Sequence, residues 1–124
     1  MRALLIPADR SKDLEYVDIP MVDGWLRICD TMHWVIFDTV HLRTSLGFEF
    51  DLVVDDNGIA NDAKINYRAS MICSNYYKDI YPIFGDALVF THIVNEWGDY
   101  DFESVPDDFD LRVFVDKECE HVKL

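Results

Sequence analysis

The chain is short of positive charge. Its 124 residues hold 11 Lys+Arg against 24 Asp+Glu, a formal net charge of −13 at pH 7. Nucleic-acid backbones and anionic membrane surfaces both require a basic footprint, so neither is an expected partner. No apolar run approaches the roughly 20 residues that cross a bilayer. The opening MRALLIPADR is too briefly apolar and too soon charged to read as an export signal. Three cysteines, an odd number, do not make a disulfide framework. These absences lead to the expectation of a cytoplasmic protein with reduced thiols. Repeats, linkers and low-complexity tracts are also lacking, and residues 1–124 read as a single globular domain.

Signatures of catalysis are missing as well. There is no G-x-G-x-x-G and no Walker loop to cradle a phosphate. Cys29, Cys73 and Cys119 stand in apolar or helical settings without a nucleophile motif. Cys119-Glu120-His121 offers soft ligands but has no second pair at zinc spacing. Asp55, Asp56 and Asn57 line up oxygen ligands, yet a calcium loop needs a wider set closed by a bidentate acid. With Gly58 they read instead as a turn. His33, His41 and His92 fall in predicted strands, where a half-buried structural role is the default. His33 and His41 are spaced to share one strand face. The expectation is therefore no enzyme, no metal and no cofactor.

What the chain does have is apolar patterning. Half its residues are hydrophobic and 14% are aromatic, which excludes a disordered acidic tail. Arg2 to Pro7 reads as a strand, and Leu14 to Ile19 alternates as its antiparallel partner. Val22, Trp25, Leu26 and Cys29 fall on one face of a predicted helix. His33 to Leu42 is rich in aromatic and β-branched residues and reads as a strand. Gly47 to Val54 places Phe48, Phe50 and Leu52 on one face, Glu49 and Asp51 on the other. A short helix follows, carrying Tyr67, Met71 and Ile72, with Asn66 as its N-cap. Ala87 to Val94 reads as a central strand. Phe109 to Val122 fits both periods, and the helical one takes in more residues. The fold class is α+β: a mostly antiparallel sheet of about five strands with two or three helices packed on one face. Trp25, Trp34, Phe37, Phe50, Leu52, Leu88 and Phe90 are the predicted core.

Two surface features remain. Asn95 to Asp108 reads as an acidic loop in which Glu96, Trp97, Asp99, Tyr100, Asp101, Glu103, Asp107 and Asp108 form a candidate partner-binding site. Aromatics set among acids are typical of protein-binding surfaces, although Trp97 and Phe102 could equally fold back on the core. Asn66, Tyr67, Arg68, Tyr76 and Tyr77 form an alternative site, where a helix start and stacking rings would hold a small nucleotide-like anion.

Four segments in order carry a resemblance: Met1-Arg2-Ala3-Leu4-Leu5-Ile6-Pro7, Asp55-Asp56-Asn57-Gly58, Asn66-Tyr67-Arg68-Ala69 and Ile83-Phe84-Gly85-Asp86-Ala87-Leu88-Val89-Phe90. From Met1 to about Phe109 the chain resembles a small uncharacterised domain family found widely in bacteriophages and bacterial mobile elements. The resemblance implies expression inside a bacterial host and carries no activity. Joined to the charge, it leads to the expectation of an acidic accessory protein that binds a basic or DNA-binding host protein, as a DNA mimic or an inhibitor of host defence. The alternative is a domain that sequesters a nucleotide-like molecule. Oligomeric state is not legible.

Overall fold

A computed structural model describes residues 1–43, 49–76 and 82–106. Arg2–Ile6 (β1) and Glu15–Asp18 (β2) form the antiparallel hairpin their alternation predicts, with Leu4 opposite Tyr16. The helix expected from Val22 is absent. Met21–Val22 (β3) and Trp25–Leu26 (β4) pair instead, Val22 opposite Trp25. The cause is Asp23-Gly24, whose φ angles are +52° and +78°. Positive φ at both central residues is the signature of the two-residue turn that matches strand twist, and it cannot continue a helix. Trp25, expected in the core, is consequently 72% exposed.

The helix begins later, at Ile28–Met32 (α1), and ends on His33 in the left-handed conformation. His33 is thus a helix cap and not a strand residue, and it shares no strand face with His41. Phe37–Arg43 (β5), Glu49–Asp55 (β6), Tyr67–Tyr76 (α2), Ala87–Val94 (β7) and Tyr100–Glu103 (β8) complete the elements of the described residues.

The architecture is α+β and mostly antiparallel. Among the described residues the main sheet has six strands, in the order β2-β1-β7-β6-β5, with β8 paired to β7. β7 is central: its first half pairs with both β1 and β6, and its second half pairs with β8. None of the described helices is long and apolar enough to cross a membrane.

Strand parity divides the core. Leu4, Ile6, Leu42, Phe50, Leu52, Ala87 and Val89 pack with Ala69, Ile72 and Cys73 of α2. Ala3, Val53, Leu88 and Phe90 pack with Ile28 of α1, bordered by Leu26, Trp34, Phe37 and Phe102. The two helices join different clusters, where the sequence led us to expect them on one face. Phe50, Leu52, Leu88 and Phe90 are fully buried as expected, while Trp34 and Phe37 are half-buried.

The cap of α2 is the one expected. Asn66 accepts the Ala69 N–H through Oδ1 at 3.1 Å, and its Nδ2 donates to the carbonyls of Ile6 at 2.8 Å and Gly85 at 3.0 Å. The Asp55-Asp56-Asn57-Gly58 turn closes through Gly58 N–H to the Asp55 carbonyl, 3.2 Å. It leads into further turns and no paired strand. The helical reading of residues 109–122, Phe48 and Tyr77 all lie outside the described residues.

Candidate functional site

The stretch expected as an acidic loop is largely a hairpin. β8 pairs with the far end of β7, His92 opposite Phe102 and Val94 opposite Tyr100. The interleaving of acids and aromatics in Tyr100-Asp101-Phe102-Glu103 is the period of a strand, which sends alternate side chains to opposite faces. Gly98, at φ +83°, ends the turn Glu96-Trp97-Gly98, which Asn95 N–H closes by donating to the Asp99 carbonyl at 2.8 Å. Asn95 braces it: its Oδ1 accepts the N–H groups of Trp97 at 2.9 Å and Asp99 at 3.0 Å.

Glu96, Trp97, Asp99, Tyr100, Asp101 and Glu103 are all exposed, Trp97 by 78%. Asp107 and Asp108 lie outside the described residues. Phe102 turns inward, its ring 5.1 Å from that of Phe90. The two candidate anchors therefore divide, Phe102 to the core and Trp97 to the surface. No Lys or Arg stands between Lys78 and Arg112, so nothing basic beyond His92 offsets these acids along the chain.

A second constellation lies beside this arm. His41 on β5 is the register partner of Asp51 on β6, and Asp51 is that of Phe90 on β7. His92, two residues beyond Phe90, emerges on the same face. The three side chains meet. His41 Nδ1 is 2.5 Å from Asp51 Oδ1, and His92 Nδ1 is 2.9 Å from Oδ2. His92 Nε2 faces Glu49 Oε2 at 3.3 Å. The Tyr100 ring lies against both imidazoles, with centroids 4.7 Å from His92 and 5.4 Å from His41.

Asp51 is wholly buried, the one carboxylate in that state among the described residues. A buried carboxylate is costly unless partnered, and here the partners are imidazoles. One nitrogen from each imidazole and one Asp51 oxygen lie within 4.8 Å of one another, so they could ligate a metal. Two clefts, each about 180 Å³, share His41, His92 and Tyr100 in their walls.

Sequence reasoning missed this cluster because its members are joined by register. The strand pattern gave no signal, since Asp51 alternates with Glu49, Val53 and Asp55 on a face that reads as polar.

The alternative anion-binding residues are occupied differently. Asn66 is buried in its cap. Arg68 donates from Nη2 to the carbonyls of Pro7 at 2.8 Å, Lys12 at 3.0 Å and Asp9 at 3.3 Å, fastening the β1–β2 connection to α2. Tyr67 is 39% exposed, with the Arg10 guanidinium 5.5 Å from its ring centroid. Tyr76 closes α2, and Tyr77 is outside the described residues.

The thiols carry no nucleophilic signature in the described residues. Burial pushes the Cys73 thiol up to about 12. Burial, then the charges of Asp30 and Asp55, raise that of Cys29. Cys119 lies outside the described residues.

No protein-family model, curated protein or solved structure matches the chain.

Proposed function

We propose that the protein acts by binding and not by catalysis, in a bacterial cytoplasm, and that its partner is a basic, DNA-binding protein surface of the host. One observation carries the reading: the β7–β8 arm presents Glu96, Asp99, Asp101 and Glu103 together with exposed Trp97 and Tyr100, and no lysine or arginine. Acids supply long-range steering toward a basic surface, and an exposed tryptophan supplies the apolar anchor that interfaces favour. A hairpin also holds these groups at fixed spacing, which lowers the ordering entropy lost on binding.

The test compares the wild-type chain with Glu96→Gln/Asp99→Asn/Asp101→Asn/Glu103→Gln as bait in bacterial lysate. The expected result is a basic protein retained by the wild type at low salt, released at high salt, and lost by the neutralised variant. Equal retention by both baits, or retention of no basic protein, would overturn the reading.

A further inference from the structure

We propose that His41, Asp51 and His92 form a binding site for one divalent transition-metal ion of the zinc class, which goes beyond the binding function above. The donor set is two imidazole nitrogens and one carboxylate, contributed by three adjacent strands. Imidazole suits zinc and its first-row neighbours, whereas calcium and magnesium prefer all-oxygen shells.

The orientation of His92 is the strongest observation. Its Nε2 points at Glu49 and its Nδ1 at Asp51. Both ring nitrogens thus face a carboxylate, Nδ1 at hydrogen-bond distance. A metal ion on Nδ1 would take the place of the proton shared with Asp51 and leave the ring proton on Nε2, directed at Glu49. The outer carboxylate on the far ring nitrogen is the arrangement by which metal-bound histidines are held in tautomer and orientation. Side-chain burial agrees, since His92 is only 8% exposed and Asp51 not at all.

The spacing is tighter than that of a filled site. Ligand atoms around a tetrahedral ion with bonds near 2.0–2.2 Å stand about 3.3–3.6 Å apart. The Nδ1–carboxylate distances here are 2.5 Å to His41 and 2.9 Å to His92. Opening the set around an ion takes an outward shift of His41, whose side chain is 56% exposed, and a smaller one of His92. Three protein ligands leave a coordination position, the pattern of zinc sites that accept a water or a substrate atom. The three donor residues line one cleft together with Thr39, Tyr100 and Asp101.

The experiment titrates metal-free full-length protein with Co²⁺, read by visible absorption, and then with Zn²⁺ in competition. One equivalent of Co²⁺ is expected to bind, to be displaced by Zn²⁺, and to resist a large excess of Mg²⁺. His41→Ala and His92→Gln are each expected to weaken binding at least about tenfold. His33→Asn, which suits the left-handed cap, should leave it unchanged. Circular dichroism of each variant confirms folding, and the exposed His41→Ala keeps the test decisive if the buried His92 variant unfolds. Absence of one-to-one binding, or affinity undiminished in folded His41→Ala, would overturn the site.

Discussion

Asn66 donates from Nδ2 to the carbonyl of Ile6 at 2.8 Å, tying the start of α2 to the end of β1 across 60 positions of chain. Both partners are fully buried, and the same side chain caps the helix. Asn66→Ala would strip the cap and leave the carbonyls of Ile6 and Gly85 without this donor. Each lost buried partner costs about 1–3 kcal/mol, so urea denaturation should show a loss of roughly 3 kcal/mol or more. Asn66→Asp keeps the cap acceptor but sets an oxygen against two carbonyls, and should be no more stable than the alanine variant.

Gly58 and Gly24 separate two uses of glycine. A Cβ on Gly58 would stand 2.6 Å from the Phe84 carbonyl oxygen, a backbone atom. Gly58→Ala should therefore cost about 1–3 kcal/mol through overpacking. At Gly24 a Cβ meets nothing within 4 Å, but φ is +78°. Gly24→Ala should cost only about 1–2 kcal/mol, from backbone strain alone. Relief by Gly24→Asn, but not by Gly58→Asn, distinguishes the two in thermal melts.

Leu88 is wholly buried in the central strand, and Trp25 is 72% exposed on its small hairpin. Leu88→Ala should cost about 2–5 kcal/mol. Trp25→Ala should stay within about 0.5 kcal/mol, as exposed substitutions do. A denaturant series with the order reversed would contradict the assignment of β7 to the core.

Cys73 gives a pH dependence whose sign is fixed. Burial lifts its thiol from 9.0 to about 12 in the folded chain. Between those values the unfolded thiol ionises while the folded one keeps its proton, so the unfolded state binds fewer protons and stability falls as pH rises. The slope is at most about 1.4 kcal/mol per pH unit, and the contribution is fully present below the unfolded value. The stability difference between wild type and Cys73→Ala, followed from pH 8 upward, should shrink along that slope (about 1.4 kcal/mol per unit at its limit). A difference flat in pH would refute it.

Much of the fold was legible where local pattern decides structure. β1, β2, β6 and β7 follow from alternation or an apolar run, and Asn66 reads as a cap from its side-chain chemistry. The β3–β4 hairpin was not, because four residues, Val22, Trp25, Leu26 and Cys29, met the helical spacing by chance while Asp23-Gly24 carried the deciding turn signal. β8 was hidden by its acids, which drew attention from its period. Of the candidate partner-binding residues, the exposure of Glu96, Asp99, Asp101 and Glu103 followed from charge. The His41–Asp51–His92 cluster did not follow, since it exists only once β5, β6 and β7 are in register.

The pairing of β1 with β7 has a consequence for synthesis. Leu4 meets Val89 and Ile6 meets Ala87, so β1 leaves the ribosome about 80 residues before the strand that completes it. At roughly 5–20 residues per second, that is a wait on the order of 4–16 s. During it the β1–β2 hairpin can close, but Leu4 and Ile6 have no β7 to cover their edge. A nascent chain with an apolar strand held open is a natural client for chaperones, and this one is exposed until β7 emerges.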